Sequence, residues 1–266
     1  MPTLATKSHE PIWVYPEKNA SLFQAVVSEF NIHPVTAQIL ISRGFKTIEE
    51  IHEFLYAKLP NLYDPDLFPD MDKAVARIVQ ALHLKQPILI YGDNDVDGMT
   101  AAALLTEFLR AVGAKVFFDI PNRPQLKKSL IGNALQSALK HHCALLVTVD
   151  CGITAAKEIE EVVRHGIDVI VTDHHEPTSR IPHCVATLNP KLINSTYPNR
   201  ELTGVGVAFK LAHAITNYLI EAEEISPSKI DLKHYLDLVA LGTIADMGAL
   251  KGENRILVRY GLKQMR

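Results

Sequence analysis

The stretch Pro87 to Leu105, PILIYGDNDVDGMTAAALL, decides the architecture. A short apolar run, Ile88 to Tyr91, leads into three aspartates at alternate positions, Asp93, Asp95 and Asp97. Gly98 closes the cluster, and Thr100 to Leu105 reads as the first turns of an apolar helix. The unit is strand, acidic loop, helix. Carboxylates this close raise one another's pKa unless a cation neutralises them, and oxygen donors select a divalent ion. Two other readings fit DxDxDG, an ordinary Asp-rich turn and a calcium loop. The calcium version lacks its closing glutamate, because the twelfth position counted from Asp93 is Leu104.

Downstream the same texture repeats. Strand candidates are Ile88 to Tyr91, Lys115 to Ile120, Ala144 to Val149, Asp168 to Thr172 and Val185 to Leu188. Helical stretches lie between them at Thr100 to Val112, Leu130 to His141 and Ala155 to Gly166. Continuous apolar strands alternating with helices of this length predict an α/β fold, a mostly parallel, doubly wound sheet covered on both faces. Ligands of such sheets sit beyond the carboxyl ends of the strands, so the residue after each strand is expected to face one crevice.

Those residues share a chemistry. The first strand delivers Asp93, Asp95 and Asp97, LLVTVDCG delivers Asp150, and VIVTDHHEP delivers Asp173, His174 and His175. LDLVALGTIADMGAL reads as a buried helix carrying Asp246 into apolar surroundings. So many carboxylates and two imidazoles at one edge imply a cation, since unpaired buried charge is costly. Mostly oxygen donors with imidazole and no thiolate in register favour manganese or magnesium over structural zinc. Two ions sharing a carboxylate would suit phosphoester hydrolysis. TGVGVAFK, Thr203 to Lys210, reads equally as a phosphate-cradling helix start through Gly204 and Gly206 or as close helix packing. Arg123, Lys127 and Lys128 read as phosphate contacts or as a solvated face.

Ahead of the sheet, residues 1–20 carry three prolines and read as an extended arm. Helical segments follow at Ser21 to Phe30, Asn31 to Gly44 and Thr47 to Ala57. Ser21 is the expected N-cap of the first, and Thr47 with Glu50 forms a capping box after Gly44. Lys58 to Pro69 reads as a linker, and Asp70 to Leu84 as a further helix with Met71, Ala74, Val75, Ile78, Val79 and Leu82 on one face. A small helical N-terminal region, 1–84, is therefore expected before the sheet domain at 85–250.

Composition sets outer bounds. With 266 residues and 47% hydrophobic content the chain can bury a sizeable core, and a net charge of -3 excludes a strongly basic surface overall. No apolar run of membrane-spanning length and no secretory leader is seen, so a cytoplasmic location is expected. Cys143, Cys151 and Cys184, an odd set without CxxC spacing, fit a reducing compartment and read as small buried hydrophobes.

Taken in order, GDNDVDG, VTVDCG, VTDHHEP and ALGTIAD resemble the four motifs of the DHH phosphoesterases, in the wording of the bacterial RecJ single-strand-specific exonucleases. ILISRGFKTIEEIHEFL, LTGVGVAFKLA and GENRILVRYGL extend the likeness over nearly the whole chain. The resemblance implies that Asp97, Asp150, His174 and Asp246 ligate one ion. It implies a second ion on Asp95 and Asp93 with Asp150 as the bridge, and gives His175 a phosphate oxygen to contact. It further implies a 5'-to-3' exonuclease that hydrolyses single-stranded DNA in repair and recombination, using two Mn2+ or Mg2+ ions. Its implied partners are single-stranded DNA, a single-strand-binding protein and a recombination helicase, with no membrane. Alternatives are a DHH phosphoesterase of short oligonucleotides or nucleotides, and a non-catalytic scaffold, which predicts lost metal-motif residues. The chain departs from the family's pattern at Asn94, where an aromatic is common, at Tyr91, where a metal-binding histidine is common, and in PQLKKSLIGNAL after Arg123. Relatives continue past GENRILVRYGL into a second phosphoesterase domain and an OB-type module, so 251–266 is expected to begin a connecting helix.

Overall fold

The computed structural model describes residues 19–121 and 133–266. Arg123, Lys127 and Lys128 lie outside the described residues. Contacts divide the chain into two units, Met1–Tyr56 and Ala57–Arg266.

In the first unit α1 (Ala20–Phe30), α2 (Pro34–Ser42) and α3 (Ile48–Leu55) enclose Val26, Phe30, Ala37, Leu40, Phe45 and Ile51. Thr47 Oγ1 accepts the Glu50 N–H at 3.2 Å, the forward half of the expected capping box, while Glu50 Oε2 accepts the N–H of Lys46, one residue before the cap, at 2.7 Å. The N-cap of α1 is Asn19, whose side chain accepts the Leu22 N–H at 3.1 Å. Ser21, expected in that role, lies inside the helix and gives its hydroxyl to Asn19 Oδ1 instead.

Among its described residues the second unit has a five-stranded parallel sheet in the order β2-β1-β3-β4-β5, with β1 Ile88–Gly92, β2 Val116–Asp119, β3 Leu145–Val149, β4 Asp168–Thr172 and β5 Ala186–Leu188. Side chains alternate between faces. Ile88, Ile90, Leu145 and Val147 enter one core with α4 (Met71–His83), α5 (Val96–Ala111) and α8 (Gly204–Glu221). Leu89, Tyr91, Leu146 and Val169 enter the other with α6 (Ala134–Lys140) and α7 (Ala156–Arg164). The α/β, doubly wound expectation holds. The sequence boundary at residue 84 differs from the structural one. The apolar face of α4 belongs to the sheet's core, and Arg77 on that helix binds Asp168 Oδ2 at 2.6 Å and the Ala144 carbonyl at 3.2 Å. The C-terminal segment also belongs to this unit, since α10 (Gly252–Gln264) packs along α9 (Leu236–Ala245).

What places the chemistry is register. Gly92 pairs with Val149, Val149 with Thr172, and Thr172 with Leu188, so four strands end in step. The ladder runs one residue further, Asp150 N–H to Thr172 O at 2.9 Å and Asp173 N–H to Leu188 O at 3.0 Å. Asp93, Asp150 and Asp173 therefore stand in a row. The strand order reverses direction between β1 and β3, which is where an open α/β sheet forms its ligand crevice.

Candidate metal centre

The first carboxylates are set by the turn out of β1. Asp95 is the N-cap of α5, its Oδ1 accepting the Gly98 N–H at 2.9 Å. The helix therefore starts at Val96, earlier than the expected Thr100, and Asp97 sits in its first turn, outside any loop. Position 98 must be glycine because a Cβ there would lie 2.6 Å from the Asp93 carbonyl oxygen. The turn can then fold back tightly enough to put Asp93, Asp95 and Asp97 against the end of the sheet.

Asp150 is presented by an unusual backbone. Its φ of 61° is in the left-handed region, which aspartate tolerates better than most residues. The following side chain, Cys151, is buried in the opposite core and points its thiol at the Tyr91 carbonyl, 3.7 Å away. Tyr91 itself is fully buried on that side. The cysteine and the tyrosine that replaces a histidine both face away from the crevice. Cys143 is buried too, whereas Cys184 is only half-buried.

Around Asp150 the other groups converge. His174 Nε2 lies 3.1 Å from Asp150 Oδ1 and 3.8 Å from both Asp97 Oδ2 and Asp246 Oδ2. Among the described residues three sets of donor atoms each lie within 4.8 Å of one another: Asp97, His174 and Asp246; Asp93, Asp95 and Asp150; and Asp150, His174 and His175. Every residue that the sequence reading gave to the two ions is thus in one cluster, together with His175. Asp246 differs from expectation in its setting. It caps α9 and its side chain is 33% exposed, because α9 buries Leu236, Val239, Ala240 and Thr243 while leaving Leu241 and Ile244 in solvent.

Electrostatics mark the cluster as incomplete. Asp150 is 1% exposed, yet among the described residues no hydrogen bond reaches either of its carboxylate oxygens, His174 Nε2 being close to Oδ1 without the geometry of one. Burial, then the charges of Asp97, Asp95 and Asp173, pushes its pKa far up. Burial also raises Asp97, to about 6 against the pull of two backbone N–H groups and His174, and raises Asp93. Burial lowers the His174 pKa, which favours the neutral imidazole that can act as a ligand. A divalent cation supplies what these groups lack. The donor set passes that test: hard carboxylate oxygens, one or two imidazoles, and no thiolate.

Two supports were not legible as such. Asp173, which the sequence places at the edge without a role, accepts at Oδ1 from the His174 and His175 N–H groups and from His175 Nδ1 at 2.7 Å, and at Oδ2 from the Ile153 N–H. Burial works to raise its pKa, but these bonds and the charge of His175 overcome that, and the net shift is downward. The same hydrogen bond raises His175 to about 9, so the ring is charged near neutrality. The second support is α8, whose Gly204 and Val205 N–H groups hold Asp97 Oδ2 and Oδ1 at 2.7 and 2.9 Å. This corrects the phosphate-loop reading of Gly204 and Gly206. Both are buried, the helix start is already filled by a carboxylate of the protein, and a Cβ at 204 would collide with Asp150 and one at 206 with Leu202. Close packing is what these glycines serve.

Comparison with known proteins agrees with this geometry. The sequence model of the DHH family, N-terminal domain, matches residues 87–243. The single-stranded-DNA-specific exonuclease RecJ of Bacillus subtilis (strain 168) is 38% identical over 254 residues, which span 96% of this chain and 31% of that protein. The protein of the same name from Escherichia coli (strain K12) is 34% identical over 237 residues, 88% of this chain and 40% of its own length. Among solved structures, RecJ from Thermus thermophilus in complex with Mn2+ superposes with a TM-score of 0.72 at 32% identity, covering 94% of this chain and 34% of that one. An exonuclease RecJ bound to manganese gives a TM-score of 0.63 at 36% identity over 74% of this chain and 48% of the other. The chain thus spans less than half the length of the relatives it matches. With the motifs, the parallel sheet and the clustered aspartates and histidines in agreement, the chain belongs to the DHH family.

Proposed function

We propose that this chain carries the hydrolytic centre of a metal-dependent, 5'-to-3' exonuclease of single-stranded DNA that serves repair and recombination. The observation that carries the reading is Asp150, a buried carboxylate on strained backbone whose oxygens accept no hydrogen bond among the described residues, between two further groups of acidic and imidazole donors. Such a group is tolerated where a counter-charge arrives. Asp97, Asp150, His174 and Asp246 would hold one Mn2+ or Mg2+ ion, and Asp93 and Asp95 a second, with Asp150 shared. Ions bound there supply an acidified water and steady the charge on the attacking and leaving oxygens of an in-line phosphoryl displacement.

The protein's own groups do the rest. Charged His175, half-exposed and held through Nδ1 by Asp173, leaves its other ring nitrogen for a phosphate oxygen. Asp97 cannot rotate, because two helix N–H groups fix both its oxygens. Arg123 is assigned a backbone phosphate. The substrate class rests on the likeness to RecJ proteins, whose name describes them as specific for single-stranded DNA. A single-strand-binding protein and a recombination helicase follow from the same likeness as partners, and a DNA substrate of this kind supports a cytoplasmic location.

The test is hydrolysis of a long single strand, labelled at either end, beside a dinucleotide, with Mn2+. Expected are mononucleotides from the 5' end with the natural chain and none with Asp150→Ala. Cleavage of the dinucleotide alone would move the assignment to a short-oligonucleotide phosphoesterase, and a folded chain that cleaves neither would overturn it.

A further inference from the structure

Outside the carboxylate cluster, the interior of the second unit holds a lysine and a glutamate that the chemistry above does not use. Lys210 on α8 is 0% exposed and Glu253 in the first turn of α10 is 1% exposed. Lys210 Nζ lies 2.6 Å from Glu253 Oε1 and 2.6 Å from the Tyr63 carbonyl oxygen. Glu253 Oε1 also accepts the Tyr63 N–H at 2.7 Å, and Glu253 Oε2 accepts the Tyr197 hydroxyl at 2.5 Å. Both charged groups thus close on the two peptide groups of a single residue, and the ammonium sits 5.8 Å above the Tyr197 ring.

Stability does not explain this arrangement. Taking two charges out of water is expensive, and a buried ion pair often does no better than well-packed apolar side chains. What it does supply is register. The other side chains buried on these helices are mostly Val, Leu, Ile and Ala, whose attraction is non-directional, whereas hydrogen bonds fix both partner and distance. The two helices so fixed lead straight to the cluster. Lys210 lies six positions after Gly204, whose N–H holds Asp97 and whose missing Cβ makes room for Asp150. Glu253 lies seven positions after Asp246, and α10 is packed along α9, which carries that aspartate.

We propose that Lys210 and Glu253 are positioning residues for the metal centre. Their buried pair locks α8 against α10, and so sets the spacing of Asp97 and Asp246 about His174. The proposal rests on the metal reading above and concerns one ion more than the other, since the helices it fixes grip Asp97 and lead to Asp246, whereas Asp93 and Asp95 are set by the turn out of β1.

The experiment is calorimetric titration of the chain with Mn2+, for the natural protein, for Lys210→Met with Glu253→Gln, and for Tyr197→Phe, each with a melting curve. The double variant removes both charges while keeping an acceptor for the Tyr63 N–H. Tyr197→Phe deletes only the hydroxyl that steadies Glu253, so it folds even if the double variant does not. Expected are two ions on the natural chain, and in both variants a selective weakening of one of them. The weakening is about 10-fold or more in the double variant and smaller in Tyr197→Phe, while the other ion, which has only Asp150 in common with the first, is weakened less. Loss of both affinities in proportion to a lower melting temperature, or unchanged affinities in a folded variant, would overturn the positioning role. A natural chain that takes up no Mn2+ would instead overturn the metal reading itself.

Discussion

At the scale of single residues, Asp150 sets the behaviour. Replacing it by asparagine keeps the volume and removes a carboxyl group whose ionisation the fold opposes, so Asp150→Asn is expected to raise the stability of the metal-free chain by about 1–2 kcal/mol. The same change should lower Mn2+ affinity and hydrolysis by more than about 100-fold. Chemical denaturation without metal and a metal titration check the two halves. The carboxylates also give a pH dependence. Asp97 titrates upward from 3.8 to about 6 in the fold, and Asp150 is shifted the same way, chiefly by burial. Between the unfolded and folded values the folded state binds protons the unfolded chain has released, so stability falls as pH rises through that window. A bound cation removes this penalty and competes with those protons. The rise in melting temperature on adding Mn2+ should therefore be larger at about pH 8 than at about pH 5, as read by melting curves with and without a chelator.

Elements add what single residues cannot. Four turns at the amino end of the sheet close their helices with a left-handed residue, at Lys85, Gly113, His142 and Gly166. In the first three, paired hydrogen bonds run back to the preceding helix, such as Lys85 N–H to Leu82 O and Gln86 N–H to Ala81 O. Two of the four are not glycine, so Lys85→Gly or His142→Gly is expected to stabilise by about 0.5–1 kcal/mol, visible in melting temperature without change in metal affinity. The converse case is Gly204→Ala, where a methyl driven into Asp150 should cost about 1–3 kcal/mol and weaken the metal as well, because the start of α8 must back away from Asp97. Strand and helix positions were legible because apolar runs of fixed length and Gly113 and Gly166 punctuate them. Lys85 and His142 carry no such sign, and neither did the N-cap at Asn19, since Ser21 two residues on is an equally good capping type. The carboxylate and imidazole cluster was legible because strands ending in step bring the residue after each one together. The grip of α8 on Asp97 was not, since it joins positions more than a hundred residues apart.

For the whole molecule, the division at Tyr56 matters most. Each unit has a core of its own, so residues 57–266 alone are expected to melt cooperatively and to take up Mn2+ as the full chain does, checked by calorimetry on both. The sequence drew this boundary too late because α4 looks like one more helix in a helical series. Only packing reveals that its apolar stripe lies under the sheet and that Arg77 reaches the starts of two strands. The sheet's two rims also carry unequal burdens. At one, inserting a single residue would swing a carboxylate to the wrong side. At the other, short turns merely hand the chain back. A dye, an affinity tag or a tether to a surface therefore belongs on the amino rim, near His142 or Gly113, where the protein can be watched or immobilised while the opposite rim goes on working.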